Sequence, residues 1–110
     1  MKIKDLVTKL SQFDPEKQVV IQTQKVPQLK EDLDINFDDV GTAVLYEVSP
    51  DDTENDRMNA KQMVERLQEG DPEKEAVIET DEDKDYTADF EVKYINGIIF
   101  LCEMANSKAW

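Results

Sequence analysis

The chain carries a partial copy of itself. Sliding the sequence along itself by 57 positions aligns residues 1–24 with residues 58–81, and eleven of those 24 pairs are identical. Among them are Lys4/Lys61, Val7/Val64, Leu10/Leu67, the run Asp14-Pro15-Glu16-Lys17 against Asp71-Pro72-Glu73-Lys74, and Val20-Ile21 against Val77-Ile78. Average composition would give roughly one or two identities over such a span. The register continues as Leu33/Phe90, Ile35/Val92 and Phe37/Tyr94, then slips by one residue to pair Val44/Phe100, Leu45/Leu101, Glu47/Glu103 and Val48/Met104. Each copy, at about 50 residues, is short of the size at which a core is comfortably stable alone. The two are therefore expected to share one core in a single domain spanning 1–110, with repeats at 1–50 and 58–104 and an acidic linker at 49–57.

Each repeat opens with a helical stripe. Ile3, Leu6, Val7, Leu10 and Phe13 in the first, and Ala60, Met63, Val64 and Leu67 in the second, recur at the spacing that puts apolar side chains on one helix face. Asn59 suits an N-cap and Gly70 a C′ position, and Pro15 and Pro72 end the helices. Ser49-Pro50-Asp51-Asp52 offers an earlier start for the second helix. Strands are expected over Val19–Gln24 and Ala76–Asp81, then over Leu33–Phe37 with Thr42–Val48 and over Phe90–Ile95 with Ile98–Met104. Asn96-Gly97 is a strong two-residue hairpin signal. These elements predict an α+β fold: a tandem duplication of an α-β-β-β unit, antiparallel sheet with two helices packed on one face, related by a pseudo-twofold axis. Met63, Phe90, Tyr94 and Phe100 are expected in the core.

Charge and missing residue types narrow the chemistry. There are 26 acids against 13 bases, a formal net charge of −13, and no histidine. Such a balance opposes binding to a phosphate backbone or to an anionic membrane, so neither nucleic acid nor membrane is an expected partner and any charged partner should be basic. Without imidazole there is no Ser-His-Asp or Cys-His catalysis and no His-containing zinc site. The lone Cys102 has no cysteine to pair with and, lacking a basic neighbour in sequence, reads as a small buried apolar residue rather than a nucleophile. No run of about 18 apolar residues and no signal-peptide pattern is present, so a cytoplasmic setting is expected. No cofactor is implied.

The acids are unevenly spread. Residues 1–50 carry a net charge of −3 and residues 51–110 a net charge of −10, and from Glu69 to Glu91 eleven acids face only Lys74 and Lys84. If Ala76, Ile78 and Thr80 point inward, strand alternation turns Glu79, Asp81, Asp83 and Asp85 outward, and Asp89 and Glu91 likewise beside Phe90 and Val92. The candidate partner-binding residues are therefore Glu79, Asp81, Glu82, Asp83, Asp85, Asp89 and Glu91. Three meanings compete. Such a run is most often a solvated face serving solubility. The spacing Asp81-x-Asp83-x-Asp85 with Asp89 resembles part of a calcium loop, but Tyr86 and Val92 stand where an EF-hand needs Gly and Glu, so no metal site is assigned. Finally, carboxylates recurring along a strand make a row of negative charge that a groove built for phosphates would accept.

The segments Lys4-Asp5-Leu6-Val7-Thr8-Lys9-Leu10, Phe13-Asp14-Pro15-Glu16-Lys17 and Val19-Val20-Ile21 resemble the amino terminus of small uncharacterised proteins of bacteriophages and mobile elements, which share a Lys-Glu-Leu-Ile-like helix, an Asp-Pro turn and a Val-rich strand. Asp5 and Gln62 stand where that pattern favours Glu. By size and acidity the chain also resembles anti-restriction and anti-CRISPR inhibitors, several of which imitate DNA. The resemblance implies a non-enzymatic phage protein acting in the host cytoplasm as a nucleic-acid mimic against the basic surface of a bacterial nucleic-acid-binding enzyme. The alternative is a protein-interaction or assembly module that docks through an apolar sheet edge or through Trp110, its acidity serving solubility. An enzyme using Asp81 and Asp83 around a metal ranks third. Neither the oligomeric state nor the joining of the two repeat sheets is legible at this stage.

Overall fold

Both expected helices form where the apolar stripes place them, α1 over Ile3–Leu10 and α2 over Ala60–Leu67, in a computed structural model that describes residues 1–24, 29–48, 58–80 and 86–104. Asn59 caps α2 through a capping box: its Oδ1 accepts from the Gln62 N–H at 2.8 Å, and Gln62 Oε1 accepts from the Asn59 N–H at 3.0 Å. Lys2, at the same position of α1, has no capping side chain, and the Asp5 carboxylate in the first turn favours the helix dipole instead. After each helix an Asp-Pro turn folds back. The Glu16 N–H donates to Asp14 Oδ1 and the Glu73 N–H to Asp71 Oδ1, both at 2.9 Å. Gly70 does not serve as a left-handed C′ residue: α2 ends through Gln68, and a β-carbon at Gly70 would run into the ring of Phe37. What Gly70 supplies is room for that ring. Ser49-Pro50 and the linker 49–57 lie outside the described residues.

Among the described residues, seven strands follow the expected order with one addition. They are β1 (Val19–Gln22), β2 (Leu33–Phe37), β3 (Ala43–Glu47), β4 (Ala76–Glu79), β5 (Tyr86–Thr87), β6 (Phe90–Ile95) and β7 (Ile98–Glu103). β6 and β7 join at Asn96-Gly97, where both residues take positive φ (52° and 82°), the twist a two-residue hairpin requires. β2 and β3 join through the longer 38–42 connection, in which Gly41 has φ 94°. The one-residue slip in the internal alignment falls in these two turns.

The strands do not make one antiparallel sheet. The described strands form two sheets, ordered β1-β7-β6 and β2-β3-β4-β5, and each contains a parallel pair. β1 runs parallel to β7, with Val19 beside Ile99 and Ile21 beside Leu101; β3 runs parallel to β4, with Ala43 beside Ala76 and Leu45 beside Ile78. The first strand of each half thus pairs with the last strand of the other. The cause lies in the segments before the helices. The Ala76 N–H donates to the Met1 carbonyl at 2.8 Å and the Val19 N–H to the Met58 carbonyl at 2.9 Å, while Ile3 and Ala60 donate to the carbonyls of Lys74 and Lys17 at 2.8 and 2.9 Å. Each helix start is therefore stitched to the strand entry of the opposite half, carrying that strand to the far hairpin.

α1 packs against α2, and one continuous apolar cluster fills the interior. It takes Leu6, Leu10, Ile21, Leu33, Ile35 and Leu45 from the first half and Met63, Leu67, Ile78, Phe90, Ile99 and Leu101 from the second. Met63 and Phe90 are core residues as expected. Tyr94 is 46% exposed, although its ring stacks on Phe13 with centroids 5.2 Å apart, and Phe100 is half-buried outside the main cluster. Among the described residues, no helix is long and apolar enough to cross a membrane.

Candidate partner-binding surface

The two candidate acids that the described residues place in strands, Glu79 and Glu91, lie in different sheets. Glu79 ends β4, Glu91 belongs to β6 of the other sheet, and Asp89 is exposed on the link between β5 and β6. Asp81, Glu82, Asp83 and Asp85 lie outside the described residues. The described chain leaves β4 at Glu79 and returns antiparallel at Tyr86, which stands directly beside it. β5 had no signal in the sequence, since two residues are too few to show alternation.

Strand alternation is as expected on β4: Ala76, Ile78 and Thr80 are buried. Glu79 nevertheless does not project into solvent. Its side chain is only 15% exposed, because the ammonium of Lys30 lies over it at 3.5 Å, with Glu47 Oε1 at 4.0 Å on the same cation. Lys30 is itself 5% exposed along its side chain, and its backbone is paired with Ile21 of the opposite sheet through bonds of 2.9 and 3.0 Å. A cation on a segment bound to one sheet thus neutralises two carboxylates on the other, which makes Glu79 a structural residue. The sequence reading missed Lys30. The available signal was the internal alignment, which sets Lys30 opposite Thr87, also buried and paired with Ile78.

Glu91 keeps its outward direction but gains a counterion, since Lys93 Nζ sits 3.0 Å from its Oε1 on the same face of β6. That hydrogen bond holds the Lys93 pKa above its ordinary value. A similar pairing occurs at Glu73, whose pKa is lowered first by the hydrogen bond from Lys4 and then by that from Lys2. Arg66 Nη1 sits 2.8 Å from Glu69, while its Nη2 lies 4.0 Å from Asp34 and donates to the Ile35 carbonyl. Of the three described candidate acids, only Asp89 is exposed and outside any ion pair of the described residues.

Along the outer side of β1-β7-β6 runs a groove of about 490 Å³, with Gln22, Gln24 and Glu103 on one side and Glu91 and Lys93 on the other. Cys102 lies in its floor, 7% exposed, and its Sγ donates to Gln22 Oε1 at 3.4 Å. Burial raises its thiol pKa against the opposing influence of Lys93. Thiolate chemistry is thereby suppressed at neutral pH. Cys102 is expected to react with an aromatic disulfide far more slowly in native buffer than after denaturation, measured as release of the coloured thiolate. Among the described residues, no group of three or more Cys, Asp or Glu is placed to hold a metal ion. Comparison with protein families, curated proteins and solved structures finds no match.

Proposed function

We propose that this is a non-enzymatic acidic binding protein, phage-encoded and acting in the host cytoplasm, which imitates nucleic acid and so inhibits a bacterial nucleic-acid-binding enzyme of the CRISPR or restriction kind. The observation that carries the reading is the segregation of charge by element. Residues 1–18 and 58–75, which contain both helices and their turns, hold seven bases and eight acids; the rest of the chain, which contains the strands and the residues outside those described, holds six bases and eighteen acids. A basic groove would be drawn to the strands and connections rather than to the helices. Within that region Asp81, Glu82, Asp83, Asp85 and Asp89 are the docking residues. Glu79 drops out, bound to Lys30, and Glu91 contributes at the margin.

The finer architecture belongs to the same reading: a duplicated α-β-β-β unit with a pseudo-twofold axis. Backbone hydrogen bonds that recur at equivalent positions support it. Lys4 to Pro72 corresponds to Lys61 to Pro15, and Val48 to Asp32 corresponds to Met104 to Asp89. Two small apolar clefts also occupy equivalent places, one around Leu10, Phe13 and Val64, the other around Leu67, Gly70 and Val7.

The test begins with the protein captured by this chain from a bacterial lysate at low salt. Changing Asp81, Asp83, Asp85 and Asp89 to lysine is expected to weaken that complex about 100-fold or more, whereas Asp51→Lys with Asp52→Lys changes it little. Equal losses from both sets would contradict the proposal. A second reading, a protein-interaction or assembly module whose acidity serves only solubility, is favoured by one observation, the open outer edge of β6.

A further inference from the structure

We propose that a second copy of this chain docks on the outer edge of β6, antiparallel and centred on Val92, so that two three-stranded sheets become one. This does not depend on nucleic-acid mimicry.

β6 ends its sheet, and among the described residues nothing pairs with its outer side. Hydrogen-bonded and non-bonded pairs alternate along an antiparallel ladder. The Met104 N–H donates to the Asp89 carbonyl at 3.1 Å, so the bonded pairs toward β7 are Glu91 with Cys102, Lys93 with Phe100, and Ile95 with Ile98. The N–H and C=O groups of Phe90, Val92 and Tyr94 therefore point away from β7, as a ready row of donors and acceptors.

The corresponding edge of the other sheet is blocked at its centre. β2 has the same phase, with Asp38 bonded to Thr42 and Val48 to Asp32, which turns Ile35 outward. There the Ile35 N–H is taken by Asp34 Oδ1 at 2.7 Å and its carbonyl by the Arg66 guanidinium. On β6 the residue matching Asp34 is Glu91, which turns to Lys93 instead, and the residue matching Arg66 is Lys9. Among the described residues, the β2 edge is plugged at Ile35 and the β6 edge is bare at the matching Val92.

The sequence of the bare edge identifies its occupant. Phe90-Glu91-Val92-Lys93-Tyr94 is complementary to itself when reversed about Val92. Pairing Val92 with the partner's Val92 sets Glu91 opposite the partner's Lys93, Lys93 opposite the partner's Glu91, and each of the two aromatic residues opposite the other kind. The charged pairs fall on one sheet face and the apolar pairs on the other, and the contact is isologous, as a twofold dimer requires. Glu91 and Lys93 are paired with each other within one copy, but with side chains 47% and 51% exposed they can exchange that partner for the second copy's Lys93 and Glu91. An unrelated extended peptide would use the same backbone groups but would have no reason to match this order of charges.

Sedimentation equilibrium of the full chain at physiological salt, over a concentration series, tests this. The wild type should shift from monomer to dimer as concentration rises, with amide exchange at Val92 and Tyr94 slowing in parallel. Glu91→Lys alone and Lys93→Glu alone each oppose like charges at two places and should each raise the dissociation constant about tenfold or more. The double variant Glu91→Lys with Lys93→Glu should dimerise again, and the two single variants mixed in equal amounts should form a heterodimer. Both substitutions sit at half-exposed positions, and the double variant controls for folding. A wild type that stays monomeric to its highest soluble concentration would overturn the proposal. So would a dimer indifferent to both single reversals, or one whose double variant fails to recover.

Discussion

Residues 1–52 and residues 53–110, produced as separate chains, are each expected to show no cooperative melting at low concentration and to fold when mixed in equal amounts. Circular dichroism against temperature checks this. Each half contains a helix, a hairpin and a further strand whose parallel partner lies in the other half: β1 lies beside β7, and β4, which keeps only the two-residue β5 on its other side, lies beside β3. Separation strips both of these parallel pairings and the cross-bonds from Ile3 to Lys74 and from Ala60 to Lys17. It also divides the apolar cluster, leaving each fragment with an exposed helix stripe and one face of a bare hairpin. A chain of about 50 residues has little stability to lose. The expected effect is therefore loss of the whole folding free energy, reversed by complementation. A first fragment that folds at high concentration as a dimer of itself would be using the same pairings, which is the outcome the duplication reading favours. A fragment that melts cooperatively as a monomer would contradict the exchange of strands.

Lys30→Ala is expected to destabilise the fold by about 3 kcal/mol, the usual consequence of removing one member of a buried ion pair and leaving the other without a counterion. Lys30 is 5% exposed and lies 3.5 Å from Glu79, itself 15% exposed, with Glu47 at 4.0 Å. Two contributions are mixed in that number, the charge and the buried aliphatic stem. Lys30→Met keeps most of the stem and loses the charge, so its cost measures the stranded carboxylates. Adding Glu79→Gln to Lys30→Met should recover part of that cost, a coupling that a double-mutant cycle in urea reads directly. If Lys30→Ala and Lys30→Met are both within a few tenths of a kcal/mol of the wild type, the cation does not hold the two sheets together as described.

The helices and hairpins were legible because the signals that make them are local. The stripe Ile3, Leu6, Leu10 fixes a helix face, and Asn96-Gly97 fixes a turn, whatever the rest of the chain does. Partner choice for β1 and β4 is not local. Val19-Val20-Ile21 reads as a buried strand in any sheet, and nothing in those residues says which edge they join or in which direction. That information sits in hydrogen bonds that join residues 17–19 to 58–60 for β1 and residues 1–3 to 74–76 for β4, contacts distant in sequence and invisible to periodicity. Glu79 shows the same limit at the candidate site. Its outward phase followed from Ala76 and Ile78, but its counterion arrived from Lys30, beside Glu31 and Asp32, where a lysine reads as an ordinary solvated charge. The acidity of the second half was legible from composition alone; its division between two sheets required the topology.

The division bears on function. A strictly linear row of carboxylates on one strand would need Glu79 through Glu91 on a single ribbon, and Glu79 and Glu91 occupy separate sheets with Asp89 on a link. What supports the proposed docking is the excess of acids over bases on the strands and connections. The salt dependence of binding to the captured enzyme tests that claim most directly, since displacing a phosphate-like polyanion from a basic groove carries a counterion signature. The account predicts an association constant that falls steeply and linearly on logarithmic axes as salt rises, with duplex DNA and this protein excluding one another from the same target. An affinity that stays flat across the salt range, on a target that still binds DNA, would contradict it.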